Sequence, residues 1–383
     1  MESGKAWPSA VYLHVPFCMH RCGYCDFTLV ANRDRLIPDY LHCLRKELEF
    51  ECRDVPRPWP VRTIFFGGGT PTHLPANHLE TLLLLLREYF VLEAEGEFSV
   101  EANPDGLDDD RLKVLHEFGV NRMSLGVQSF VDAELKTLER THRSAEARDV
   151  IHRVAERFGN TGADLIFGVP GQTLSSWNDS LQAALDLPVK HVSTYGLTFE
   201  PGTAFFRRRK SGDLRTTPEE TEREMYLQAI RVLKQDRFQH YEVSNFAVPG
   251  FECQHNLVYW HAEEYFAFGP GAARYVHGRR TTNARRVTQW LKTWNLGEPG
   301  YEEDERLNDE DKAREAIMLA LRLRSGLHIG SFQKRFGVNL DELCGAAIRR
   351  AVESGFAERS GDHLALTEDG LMIADSVISE FLG

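Results

Sequence analysis

Three cysteines, Cys18, Cys22 and Cys25, stand in CxxxCxxC spacing directly after the apolar run Val11-Tyr12-Leu13-His14-Val15, which ends at Pro16. A strand that stops at a proline hands over to a loop, and a loop lets three thiols turn toward one point. Soft thiolates serve zinc and iron–sulfur clusters alike. A structural zinc wants four protein ligands, and only His14 or His20 is near enough in sequence to complete that set. A cubane cluster held by three thiolates would leave one iron open to a small ligand.

Other stretches carry chemistry of a second kind. The run Thr63-Ile64-Phe65-Phe66 leads into Gly67-Gly68-Gly69-Thr70-Pro71, where glycines let backbone approach a ligand with no Cβ in the way. Taken alone, such a run describes a strained turn equally well. Polar residues recur where apolar runs end, at Glu101, Gln128, Asp164 and Tyr195. In a parallel barrel such ends line one mouth, although each taken singly is also a helix cap. Further on, His255-Asn256-Leu257-Val258-Tyr259-Trp260 places His255 and Tyr259 four apart, on one side if the segment is helical. Imidazole is an axial ligand of heme iron, and more often a hydrogen-bonded structural residue.

The elements that must position these groups follow from periodicity. Helical spacing covers 38–52, 76–90, 109–118, 144–158 and 175–186, and strand-like runs cover 63–66, 97–101, 122–127, 163–170 and 191–197. This alternation predicts an α/β fold with a parallel sheet and right-handed crossovers. A helix at 217–235, capped near Thr217, and an aromatic strand-like stretch at 238–247 come next. Residues 296–308, with Gly297, Pro299, Gly300 and five acidic side chains, read as a linker. Helices at 309–324, 328–336 and 339–354, a β-pair at 357–359 and 363–366, and a helix at 368–382 predict a small α+β winged-helix-like C-terminal domain.

Composition narrows the classes. The chain of 383 residues is 42% hydrophobic and 27% charged, as expected of a globular protein with two or three domains. Met1 to Ala10 lack the pattern of a secretory signal. The longest leucine run, Leu82 to Leu86, falls far short of the ~20 residues that span a bilayer. Seven cysteines without a disulfide-like framework point to a reducing compartment, hence a cytoplasmic location. A net charge of -12, with nine basic and thirteen acidic residues in 309–383, argues against nucleic acid as a partner. The basic run Arg207-Arg208-Arg209-Lys210 reads as a solvated loop.

The CxxxCxxC spacing with aromatic Tyr24 before the last cysteine resembles the signature of radical S-adenosylmethionine (SAM) enzymes. The flanks Tyr12-Leu13-His14-Val15-Pro16-Phe17-Cys18 and Tyr24-Cys25-Asp26-Phe27 resemble the branch containing oxygen-independent coproporphyrinogen oxidase and the heme chaperone HemW. The resemblance implies a partial (β/α)6 TIM-type barrel over 1–295, with a heme-binding extension at about 238–290, and a HemN/HemW-type helical domain at 309–383. It implies a [4Fe-4S] cluster on Cys18, Cys22 and Cys25, with the amino and carboxylate groups of SAM on the open iron. By the same resemblance Gly68, Gly69 and Thr70 meet the SAM amino group, Glu101, Gln128, Arg140 and Asp164 hold SAM, and Tyr12 and Tyr24 lie beside the cluster and adenine. Arg140 suits paired hydrogen bonds to a carboxylate, with Arg143 as a competitor, while His142 caps or packs.

HNxxYW resembles a heme-binding motif, which makes His255 and Tyr259 the heme residues, with His240, His261 and Cys253 close by and Arg279, Arg280, Arg285 and Arg286 as partners for propionates. Two functions follow from the resemblance. One is a chaperone that keeps the cluster and SAM and hands heme to apoproteins such as respiratory enzymes, with peripheral association through membrane-bound acceptors. The other is an oxidase in which a SAM-derived radical converts coproporphyrinogen III to protoporphyrinogen IX. Phe27 stands where the oxidases extend their motif to CxxxCxxCxC, and it favours the chaperone.

Overall fold

In chain order the first strands are β1 (Ala10–Val15), then β2 (Phe17–Cys18) and β3 (Val30–Ala31), which pair only with each other, then β4 (Trp59–Gly68), β5 (Phe90–Ala102), β6 (Arg122–Gln128), β7 (Asn160–Phe167) and β8 (His191–Gly196). The structure is a computed structural model that describes residues 6–382. Part of the stretch read for a secretory signal, and the outermost residues of both expected domains, lie outside the described residues. Strands β1, β4, β5, β6, β7 and β8 lie side by side in that order, each parallel to the next. Helices Ile37–Glu51, Ala76–Arg87, Asp109–Glu117, Ser144–Phe158 and Leu174–Leu185 make the crossovers. Antiparallel β9 (Gln239–His240) and β10 (Asn245–Ala247) extend the sheet beyond β8, and parallel β11 (Phe266–Phe268) extends it beyond β1.

Strand alternation sorts the side chains between two environments. Val11, Leu13 and Val15 of β1, Ile64 and Phe66 of β4, and Met123 and Leu125 of β6 join one apolar core with helix residues such as Tyr40, Leu82, Ile151 and Trp177. The alternate residues face the lumen, in rows fixed by register: Tyr12 beside Phe65, Phe65 beside Ser99, Ser99 beside Arg122, with Glu101 beside Ser124 and Asp164 beside Ser193 one row further along. The lumen therefore mixes aromatic and polar side chains, while the outer face is apolar.

Antiparallel β12 (Ala273–Val276), β13 (Arg279–Asn283) and β14 (Tyr301–Arg306) form a separate sheet. Strand β14 lies inside 296–308, so that stretch is not simply a linker. Its acidic residues make cross-strand pairs with the basic and hydroxyl residues of β13: Arg279 with Asp304 at 2.6 Å, Arg280 with Glu305 at 3.2 Å, and Thr282 with Glu303 at 2.9 Å. Two helix boundaries also differ from the periodicity. The helix expected from 217 is Glu219–Lys234, because the Thr217 hydroxyl donates to the carbonyls of Gly168 and Val169 instead of capping. The helix expected at 368–382 breaks at Ile373 into Glu368–Met372 and Ala374–Ser379.

The C-terminal part has its own core, which includes Ile317, Phe332, Ile348, Leu364 and Phe381. Helices Asp309–Ala320, Ile329–Phe336 and Leu340–Glu353 pack on a small sheet of β15 (Leu327–His328), β16 (Ala357–Ser360) and β17 (His363–Leu366), in the order β15-β17-β16. Lys234 to Glu368 at 2.7 Å and Arg280 to Glu315 at 2.6 Å tie this part to the barrel side. Among the described residues, no helix is long and apolar enough to cross a membrane.

Candidate functional site

The cysteine loop is closed at its base by β2 and β3, with Val30 N–H donating to Pro16 O at 2.7 Å. Inside the loop, Arg21 donates to the carbonyls of Cys25, Leu29 and Phe27, the shortest bond being 2.8 Å to Leu29. One guanidinium thus holds the backbone that carries two of the thiols. Cys18 sits 3.2 Å from the Thr70 hydroxyl, and burial pushes its thiol up to about 11. All three cysteines line one cavity of about 310 Å³ at the mouth of the barrel. Among the described residues no three His, Cys, Asp or Glu side chains lie close enough to share a single metal ion. Three thiols that face one cavity suit a multi-iron cluster, in which each sulfur takes a different iron.

The glycine run has a reason the sequence does not display. A Cβ on Gly67 would stand 2.9 Å from a Glu101 carboxylate oxygen, one on Gly68 2.4 Å from the His14 ring, and one on Gly69 2.8 Å from Phe17 O. Gly68 also has φ +107°, the region open to glycine. Neighbouring protein atoms therefore require the glycines, and the same compactness lets Gly68, Gly69 and Thr70 line the cavity.

Facing them, β5, β6 and β7 deliver Glu101, Gln128 and Asp164 to the same cavity. Glu101 accepts from Gly68 N–H at 3.1 Å, and burial together with Asp164 pushes its carboxyl up to about 7. Asp164 accepts from Ser193 at 2.6 Å and Ser124 at 3.1 Å, and burial raises it as well. The β6–β7 register slips between Leu125 and Gln128, and Gln128 has φ 68°. That bulge re-aims the end of β6 at the mouth.

Arg140, not Arg143, enters the cavity, since Arg143 heads the helix Ser144–Phe158 at the surface. The Arg140 fork is not fully open: Nη2 donates to Asn103 Oδ1 at 2.7 Å and Gly126 O at 2.9 Å, and Nη1 reaches Cys22 Sγ at 3.7 Å. Its buried Nε has no partner. His142 packs as expected, with Nε2 at 3.0 Å from Val127 O.

Asn103 was not legible as a site residue, yet its amide bridges Thr70 and Arg140. The signal available was its place at a strand end before Pro104. Tyr24 lines the cavity, whereas Tyr12 does not: it lies a row deeper, 3.1 Å from His14 Nδ1 and stacked on Phe65. A half-buried cation with a free N–H, two half-buried carboxylates and hydroxyl-lined backbone suit a zwitterion joined to a diol, and so fit SAM.

At the opposite end, helix Gln254–Trp260 closes the floor. His255 is fully buried, its Nδ1 lies 2.8 Å from the Thr63 hydroxyl and its Nε2 2.9 Å from Tyr259 OH. Burial holds the imidazole neutral, down to about 3. Glu97 accepts from the backbone N–H groups of Gln254 and His255. His255 and Tyr259, expected to face a macrocycle, are bonded to each other and to the strand floor instead. Arg279 and Arg280 are likewise committed to carboxylates, while Arg285 and Arg286 are exposed.

Comparison with known proteins agrees with this geometry. The family model for the radical SAM superfamily matches residues 12–184, and that for the HemN C-terminal domain matches 307–373. The chain is 36% identical to the heme chaperone HemW of Bacillus subtilis over 98% of this chain and 99% of that one. It is also 36% identical to HemW of Mycobacterium tuberculosis, over 98% and 95%. Coproporphyrinogen III oxidase (HemN) of Escherichia coli superposes with a TM-score of 0.86 at 21% identity, over 98% of this chain and 90% of that one, a likeness of fold. The cysteine loop, the cavity that fits SAM and the full-length identity together make this chain a member of the HemW family within the radical SAM superfamily.

Proposed function

We propose that this protein is a cytoplasmic heme chaperone that keeps a [4Fe-4S] cluster and SAM at the barrel mouth and hands heme to apoproteins such as respiratory enzymes. The observation that carries the reading is identity to HemW relatives along essentially their whole length. Phe27 supports it. It lines the mouth cavity, 61% exposed, at the position where a further cysteine would stand in the oxidases.

When bound, the cluster supplies a one-electron store beside the sulfonium of SAM. The protein's own residues do the rest. Cys18, Cys22 and Cys25 would hold three irons, and Arg21 keeps their loop in shape. Arg140 Nε would meet the carboxylate of SAM, and Glu101 and Asp164 would accept from its amino group and ribose hydroxyls. For heme, His255 would supply the imidazole, and its Nε2, now 2.9 Å from Tyr259 OH, would have to leave that partner.

The test is anaerobic reconstitution followed by separate addition of heme and coproporphyrinogen III. The chaperone reading expects a Soret band, weakened in His255→Ala, and no SAM-dependent conversion of the porphyrinogen. Robust conversion to protoporphyrinogen IX would select the oxidase instead. An unchanged Soret band in His255→Ala would move the heme to another site.

A further inference from the structure

Alternation on the small sheet of β12, β13 and β14 gathers three arginines on one face. Register sets Arg274 opposite Thr281 across β12 and β13, and Arg279 opposite Arg306 across β13 and β14. Residues that stand opposite or two apart share a face, so Arg274, Arg279 and Arg306 lie on the same side of the sheet. There they line a cavity of about 220 Å³ over buried Phe266, at the end of the helix Ile37–Glu51. The cavity shares no residue with the one at the barrel mouth.

Two like charges directly opposite each other repel unless something negative lies between them. Asp304 meets that need only in part: it accepts from Arg279 at 2.8 and 2.6 Å, and feels Arg306 and Arg274 through space. Arg274 is committed to Glu51 and donates to Tyr301 OH at 2.8 Å. Arg53, the fourth arginine of the lining, is turned to Asp54 at 3.5 Å and Phe50 O at 3.0 Å. Arg306 alone of the four forms no ion pair or side-chain hydrogen bond among the described residues. Four arginines against Glu51, Asp54 and Asp304 leave one positive charge over, on a chain of net charge -12. A further polar group of the lining is His277, at φ 52° on the β12–β13 hairpin. Glu264 holds its backbone N–H at 2.8 Å, and its ring lies 4.5 Å from Trp7. Its Nε2 is buried and has no partner.

We propose that this cavity binds a small oxyanion, a phosphate or carboxylate group, held by Arg306 and Arg279 with His277 Nε2 as a further donor. The anion supplies the negative charge that the opposed arginines lack, and a guanidinium fork matches either group with two hydrogen bonds. Trp7, against the His277 ring, reports on occupancy. The site stands apart from cluster, SAM and heme, so its test does not depend on any of them.

The experiment titrates the full-length protein with inorganic phosphate and, separately, with acetate, at an ionic strength held constant with chloride. Tryptophan fluorescence is followed, with Trp7→Phe marking the share of Trp7. A saturable change is expected with at least one anion, weakened at least about tenfold in Arg306→Gln, the loss expected for charged hydrogen bonds. Arg306→Lys keeps the charge without the fork and is expected to fall between the two. His277→Asn, a residue that also accepts a positive φ, is expected to weaken binding a fewfold. Tighter phosphate assigns a phosphate group, and tighter acetate a carboxylate. No saturation with either anion, or saturation unchanged in Arg306→Gln, would overturn the proposal. If Trp7 is silent, the melting temperature decides: a rise with anion concentration that Arg306→Gln loses upholds the site, and a rise equal in both proteins, or none, refutes it.

Discussion

The two ends of the barrel lumen are built from similar residues and do opposite things with them. At the floor, His255, Glu97, Thr63 and Tyr259 use one another's hydrogen-bonding capacity inside a closed helix–strand joint. At the mouth, Arg140 Nε is left without a partner, and two half-buried carboxylates face a cavity. A polar lumen residue thus signals a ligand only where the surrounding structure leaves its valence open. Residue type alone does not separate the two ends.

The comparison can be broken most severely at the thiols. Cys22→Ala is expected to abolish the cluster, read as iron content after reconstitution, while the apo protein keeps its melting temperature, since Cys22 is only half-buried. The reverse pattern is expected at the floor. Glu97→Ala strands two N–H groups and leaves the buried Arg122 without its neighbouring carboxylate, and should cost ~3–5 kcal/mol in denaturant unfolding. The fraction that folds should still take up full iron.

Smaller effects sharpen the picture within each end. Asp164→Asn should weaken SAM binding about tenfold by calorimetry, at ~1.4 kcal/mol for one charged hydrogen bond, with iron unchanged. Tyr259→Phe releases His255 Nε2 from a bond worth ~1 kcal/mol, so heme should bind a fewfold more tightly, whereas an unchanged affinity would count against His255 as ligand.

A third region offers a pH test. Buried Glu47 accepts from Gly269 N–H and Asn283, and burial pushes its carboxyl up to about 8. Its raised value favours the folded state below the unfolded carboxyl's titration and loses that advantage as pH rises toward 8. Glu47→Gln should therefore gain on the wild type by up to ~1.4 kcal/mol per pH unit between pH 5 and 8. Parallel denaturation curves at the two pH values would contradict this.

Much of the mouth was legible because it depends on local sequence. The cysteine spacing, the glycine run and the polar strand ends each sit at a strand terminus, and parallel register carries all of them to one end. What escaped depends on contacts between distant segments. Asn103 works through Thr70 and Arg140, and Glu302 to Glu305 look like a linker until β13 supplies their partners. The HNxxYW helix is the sharpest case: its residues are prominent in the sequence, but Thr63 on a strand far upstream already occupies the imidazole.

The most direct test measures iron and SAM binding side by side in Cys22→Ala and His255→Ala. An open mouth and a closed floor predict that Cys22→Ala loses both and that His255→Ala keeps both. Full iron in Cys22→Ala, or loss of iron and SAM from a folded His255→Ala, would contradict the account.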